Sequence, residues 1–146
     1  MRITSSAFEN NSIIPKKYTC DGENVNPPLE ISGVPADAQS LALIVHDPDA
    51  PVTGGWTHWI IFDLDPYLTR IAENSVPDSG IEALTSFRKA GYGGPCPPIG
   101  AHHYQFQLYA LDTKLELEGP VTKEDIEAAI EGHVQEKASL VGRYAH

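Results

Sequence analysis

Five polar side chains fall where a β-rich chain builds its sites. Asp47 and Asp49 lie at and just past the end of the apolar run Ser40–His46, and His58 sits inside Trp56–Leu64. His102 and Tyr104 open the stretch His102–Leu111. Residues two apart on a strand share a face, so His102 and Tyr104 present two hydrogen-bond donors to the same side. His58 shares its expected face with Trp56, Ile60, Phe62 and Leu64, and an imidazole buried there needs a partner. Asp47 is the natural candidate, because a carboxylate holds one ring nitrogen and favours the cation. The loop Gly93–Gly100 adds backbone N–H groups at glycines that permit close approach, while its prolines remove others. Such donors suit a phosphate or a carboxylate, and a nearby Asp suits the ammonium end of a zwitterion such as phosphoethanolamine. Taken singly, each residue has an ordinary role: His58 a satisfied core histidine, Tyr104 a packed ring, the aspartates turn formers. The case rests on convergence, since neighbouring strands would bring all of them to one end of a sheet, where sites usually lie.

The elements that must position them are short strands separated by turns. Ser40–His46 is nearly all apolar, consistent with a strand buried on both faces, and Asp47-Pro48-Asp49-Ala50-Pro51 turns the chain after it. Trp56–Leu64 reads as a second central strand that Pro66 ends. Tyr67–Gly100 has no steady period and closes in a Gly/Pro-rich loop, the kind of long irregular segment that often carries function. In the third strand, His102, Tyr104, Phe106, Leu108 and Ala110 form the greasier face and should point inward. Thr122-Lys123-Glu124-Asp125 is a capping-box pattern, and Ile126, Ala129, Ile130, His133 and Val134 recur at helical spacing, which predicts a helix over 122–138. Several strands, many Pro/Gly turns and one late helix imply a mainly β fold, an antiparallel sandwich of two sheets with one or two peripheral helices. No repeat or linker divides the chain, so residues 1–146 form one domain.

Composition excludes several functions. Twenty acidic residues against ten Lys plus Arg give a formal charge of −10. That field repels phosphate backbones and anionic bilayers, and Lys16-Lys17 is the longest basic cluster. Nucleic acid is therefore not an expected partner. Leu41–Val45 and Trp59–Phe62, the longest apolar runs, are far too short to cross a bilayer, and Met1–Asn10 lacks the apolar segment of a secretory leader. A cytoplasmic protein is expected. In that compartment Cys20 and Cys96, the only cysteines, would stay reduced, and two of them fall short of a structural zinc site.

Three motifs in order carry a resemblance: Asp-Pro-Asp-Ala-Pro at 47–51, Trp-Thr-His-Trp at 56–59 and Gly-Pro-Cys-Pro-Pro-Ile-Gly-Ala-His-His-Tyr at 94–104. Together they resemble the signature of the phosphatidylethanolamine-binding protein (PEBP) family, in its short bacterial and archaeal, Raf-kinase-inhibitor-like (YbhB/YbcL-like) branch. Tyr18-Thr19-Cys20-Asp21-Gly22, Asn26-Pro27-Pro28-Leu29 and Leu140-Val141-Gly142-Arg143-Tyr144 extend the likeness over essentially the whole chain. The resemblance implies a two-sheet β-sandwich with a shallow pocket at one end. By motif matching, the ligand-binding residues would be Asp47, Asp49, Trp56, His58, Gly94, Pro95, His102 and Tyr104. Family pockets of this kind accept phosphate, acetate-like anions and phosphoethanolamine head groups. Against eukaryotic members, the link Val52–Gly55 is short, Cys96 is inserted in the proline loop, and the chain ends earlier; these changes reshape the pocket rim.

The expected function is binding of a small anionic or zwitterionic ligand, with kinase-inhibitor-like modulation of a protein partner through the same pocket. No cofactor and no metal are expected. The competing class is an enzyme in which His58, His102 and Asp47 do acid–base work on a phosphoryl or acyl group, or hold a metal as two His and a carboxylate. Against it, there is no Gly-x-Ser-x-Gly elbow, His-x-His and His-x-x-x-His spacings are absent, and Cys96 has no evident activating group. A third class is a structural partner, with exposed edge strands open to homodimerisation.

Overall fold

A computed structural model describes residues 1–146. In chain order the elements are β1 (Arg2–Thr4), β2 (Ser12–Ile13), a 3-10 turn (Lys16–Tyr18), β3 (Leu29–Ser32), β4 (Ser40–Asp47), β5 (Trp56–Leu64), β6 (Arg70–Ile71), β7 (Ile81–Glu82), β8 (Ala101–Leu111), α1 (Lys123–Ile130) and β9 (Val134–Ala145). A large sheet has the order β2-β9-β8-β4-β5-β7, and a small one the order β1-β3-β6. The fold is mainly β with two sheets, as expected. All pairings are antiparallel except β2 with β9, which is parallel. That pair departs from the purely antiparallel sandwich that the sequence implies.

β4 is apolar from Leu41 to Val45 because it lies inside the large sheet with a core on each face. Its odd residues Leu41, Leu43 and Val45 join Trp59, Ile61, Phe106 and Leu108, and meet Ile3, Leu29, Ile31 and Ile71 of the small sheet. Its even residues Ala42 and Ile44 join Ile60 and Phe62, beneath Val121, Ile126 and Ile130. The sandwich core therefore lies between the sheets, and α1 covers a second core on the far side. Each large apolar side chain taken fully from water in this way contributes about 1.5–3 kcal/mol.

The helix is shorter than its spacing predicts. Its start is as expected: the Thr122 hydroxyl accepts from Asp125 N–H at 3.2 Å, and the Asp125 carboxylate accepts from Thr122 N–H at 2.9 Å. Its end comes eight residues later. Gly132 takes φ +81°, a left-handed conformation that closes helices at little steric cost. From Val134 the chain pairs with β8 over its whole length, Leu111 to Val134 at one end and Ala101 to Ala145 at the other. In β9, Leu140, Gly142 and Tyr144 are buried and their neighbours are not, the period of two of a strand, and the helix expected over 122–138 gives way to it from Val134. Gly142 is required there, since a Cβ would collide with Ile14 and Phe8.

The thiols also differ from expectation. Cys20 and Cys96 form a disulfide across 76 residues of chain.

Candidate functional site

Two register shifts in β5 decide which residues face the sandwich core. Opposite β4, Leu64 pairs with Leu41 but Ile61 with Leu43, and Trp59 pairs with Val45 but Thr57 with His46. In each case the β5 strand holds one extra residue, a β-bulge. The second bulge lies at His58. It lets His58 and Trp59 turn to the same side, so simple alternation through Trp56, His58, Ile60, Phe62 and Leu64 does not hold. Ile60 and Phe62 point under α1 while Trp59, Ile61 and Leu64 enter the core between the sheets. His58 contacts Tyr104 across the sheet, with ring centroids 5.2 Å apart and near-perpendicular planes.

His58 is buried, and its partner is not Asp47. Its Nδ1 lies 2.7 Å from the Gly93 carbonyl oxygen. A carbonyl only accepts, so Nδ1 carries the proton and Nε2 is left as the free ring nitrogen. Gly93 N–H in turn donates to the His58 carbonyl at 3.0 Å, locking the proline-rich loop onto β5. Burial pushes the His58 imidazole below the usual histidine range, with the Gly93 carbonyl and Asp47 opposing that shift. The ring is therefore neutral near pH 7, and Nε2 offers a lone pair.

Asp47 serves His102 instead. His102 Nδ1–H donates to Asp47 Oδ2 at 2.7 Å, with both side chains buried. The other carboxylate oxygen accepts from Asp49 N–H at 2.8 Å. His102 stacks on Tyr104, planes 24° apart. The Tyr104 ring is 1% exposed. Its hydroxyl has no protein partner, yet no side-chain N or O in the protein is both unpaired and shut off from solvent. The Tyr104 hydroxyl and His58 Nε2 therefore open onto free space. Burial pushes the Tyr104 phenol well above its ordinary value, so it stays a donor. Asp49 turns outward: its Oδ2 accepts from His103 N–H at 2.8 Å and His103 Nδ1 at 2.7 Å, which holds its carboxyl below the usual range.

The free space is a pocket of about 300 Å³ bounded by Ala50, Pro51, Val52, Trp56, His58, Phe87, Cys96, Pro97, Pro98 and Tyr104. Of the residues expected to bind ligand, Trp56, His58 and Tyr104 line it. Asp47 and His102 stand behind Tyr104 as a buried pair, and Asp49 lies outside the lining with its carboxylate bound to His103. Gly94 and Pro95 lie outside the lining, and the Gly94 N–H and the Pro95 carbonyl are already taken. Gly94 N–H donates to Asn24 Oδ1 at 2.8 Å, and the Pro95 carbonyl accepts from Cys20 N–H at 3.1 Å. A Cβ on Gly94 would overlap Asn24 and the Tyr18 carbonyl, so only glycine lets the loop approach that turn. The Tyr92 hydroxyl bonds the Tyr18 carbonyl at 2.7 Å and the disulfide completes the attachment.

Phe87 is the wall that sequence reasoning missed. It meets Trp56 and His58 edge-on, with centroids 5.4 and 5.5 Å away. It sits in an aperiodic segment, and no local pattern separates it from any other loop aromatic. The remaining histidines belong to other tasks. His46 bonds Thr57 Oγ1 on the opposite face of the sheet, and His133 bonds Asp112 at the surface. No helix is long and apolar enough to cross a membrane.

A small, mainly apolar pocket with one imidazole and one phenol at its floor is the form of a ligand-binding protein. The profile of the family described as phosphatidylethanolamine-binding protein matches residues 4–145. The chain belongs to that family. It is 49% identical to a UPF0098 protein of Methanothermobacter thermautotrophicus, over 99% of this chain and 98% of the relative. A phosphatidylethanolamine-binding protein homologue from Chlamydia trachomatis superposes with a TM-score of 0.95 at 42% identity, covering 99% and 97% of the two chains. YbcL of E. coli, described as a member of the mammalian PEBP family, superposes with a TM-score of 0.93 at 28% identity, covering 99% and 98%.

Proposed function

We propose that the protein binds the anionic head of a small molecule in this pocket, a phosphate or carboxylate, with phosphoethanolamine-like zwitterions as the best-matched class. The observation that carries this is that an apolar-walled cavity is lined by two unpartnered polar atoms, the Tyr104 hydroxyl, which donates to the anion, and His58 Nε2, which bonds it by sharing a proton. Apolar walls of Val52, Trp56, Phe87, Pro97 and Pro98 exclude water and strengthen a hydrogen bond to the anion. The Asp47–His102 pair backs the face of β8 that carries Tyr104, and the negative field of Asp47 reaches Tyr104 and His58, a field that suits the ammonium end of a zwitterion. The family's name points to the same head-group chemistry. Val52 and Phe87 line the pocket and are also exposed, so a protein partner docking over the occupied pocket belongs to the same reading.

The enzyme alternative draws support from the Asp47–His102 couple, an arrangement that elsewhere orients a general base. Here the pocket lining holds no serine, and the sulfur of Cys96 is engaged with Cys20. A covalent route through a serine or a free cysteine is closed, which favours binding. A cytoplasmic setting remains part of the proposal, with the disulfide as a bond that a reducing cytosol opens and oxidation closes.

The test is an NMR titration with phosphate and O-phosphoethanolamine at about pH 6 and pH 8, on either side of an ordinary histidine pKa. Shifts concentrated at His58, Tyr104, Trp56 and Phe87 support the pocket. Shifts spread over Lys16, Lys17 and other surface cations, or none at millimolar ligand, would remove it.

A further inference from the structure

Cys20 and Cys96 are both exposed, and the fold brings a third ligand-type side chain to them. His146, at the end of β9, lies with Nδ1 3.9 Å from Cys20 Sγ. One ligand atom from each of Cys20, Cys96 and His146 falls within 4.8 Å of the others. Asp21 adds a carboxylate: its Oδ2 accepts from His146 Nδ1–H at 2.9 Å and from the Tyr144 hydroxyl. Two sulfurs, one imidazole and a carboxylate behind the imidazole are the donor set of a tetrahedral site for a thiophilic divalent cation. The sequence counts two cysteines, too few for such a site. The β8–β9 pairing supplies the third ligand, because Ala145 sits opposite Ala101 and so carries His146 to the proline loop.

We propose that Cys20, Cys96 and His146 form a redox-gated site for a zinc-class cation, closed while the disulfide is intact and opened when a dithiol reductant cleaves it. The chemistry balances in two steps. A dithiol gives two electrons and two protons to the Cys20–Cys96 bond, becoming a disulfide itself and leaving two thiols. The cation then displaces both thiol protons to solvent and is held by two thiolates and one imidazole nitrogen, with water in the fourth position. Asp21 keeps its hydrogen bond to Nδ1, so Nε2 is the ring nitrogen that meets the cation, with the carboxylate behind it as at other metal-bound histidines. Because the cation binds only the dithiol, its presence makes the disulfide easier to reduce. Cys96 also lines the ligand pocket, so either link, disulfide or metal, pins Pro97 and Pro98 as a wall. The site would keep the pocket formed in both redox states.

Cobalt(II) titration of the full chain tests this. Protein reduced with a phosphine and desalted without oxygen should bind one Co²⁺, with a thiolate-to-cobalt charge-transfer band and intense tetrahedral d–d bands. Oxidised protein should show neither. Cys96→Ser should lose the charge-transfer intensity of one thiolate. His146→Ala alters a half-exposed ring and leaves the fold unchanged by NMR; it should weaken Co²⁺ about tenfold or more. The proposal is overturned if reduced protein with an intact NMR spectrum shows no charge-transfer band, or if His146→Ala binds Co²⁺ as tightly as the parent. It also fails if reduction alone unfolds the chain, since no folded site would then exist.

Discussion

Removing the Tyr104 hydroxyl separates a structural role from a binding role more cleanly than any other change in the pocket. The ring is 1% exposed and packs on His58 and His102. Tyr104→Phe keeps that packing and deletes one oxygen that bonds no protein atom. Unfolding free energy should therefore change by less than about 0.5 kcal/mol, because no protein hydrogen bond is lost and no buried group is orphaned. The anion, a charged acceptor, would lose the hydrogen bond that Tyr104 donates, about 1.5–3 kcal/mol, or roughly 10- to 150-fold in Kd. Urea denaturation of parent and variant gives the first number. Calorimetric titration with O-phosphoethanolamine gives the second. A variant destabilised by more than about 1 kcal/mol would mean that the hydroxyl is bonded inside the protein. Unchanged stability with unchanged affinity would mean that the anion does not sit over Tyr104. Either result refutes the reasoning.

Four further outcomes follow from the same geometry. The neutral His58 Nε2 and a phosphomonoester dianion must share one proton to bond, so affinity should fall about tenfold per pH unit once both have lost it, above about pH 6.5; an affinity flat from neutral to alkaline pH would count against His58 as the contact. His58 also affects the empty protein: its folded pKa is depressed, so its contribution to stability is complete above the unfolded value near 6.5 and is lost as pH falls through the folded value, visible as a dropping urea midpoint. Cleaving the disulfide frees a loop spanning 76 residues and should cost about 4 kcal/mol by the chain-entropy relation, so a phosphine reductant should lower the urea midpoint while Cys20→Ser makes the protein insensitive to it. Asp47→Ala leaves the buried His102 Nδ1–H without its acceptor and should cost about 1–3 kcal/mol; a loss well under about 1 kcal/mol would show that His102 relaxes to solvent.

The strands and the inward face of β8 were legible because their signals are local. A period of two over His102–Ala110 and an unbroken apolar run at Ser40–His46 survive whatever packs against them, and the Thr122–Asp125 cap is complete within four residues. The pocket's motif residues were legible for the same reason, as contiguous words of sequence. Their partners were not. Asp47 was matched to His58, but the bulge at His58 and the register of β4 with β8 give Asp47 to His102 and give His58 to a loop carbonyl. A bulge is one extra residue whose presence depends on the neighbouring strand, so alternation within β5 could not announce it. The end of α1 illustrates the same limit: Ile126–Val134 fits a helix by spacing, yet eleven paired positions with β8 from Val134 onward outweigh what one more helical turn offers.

Composition and motif thus determined an acidic, mainly β fold and the neighbourhood of its pocket. Tertiary structure alone decided the Phe87 wall, the Cys20–Cys96 bond and the arrival of His146 beside it, since each joins residues far apart in the chain whose proximity only strand pairing and loop closure create.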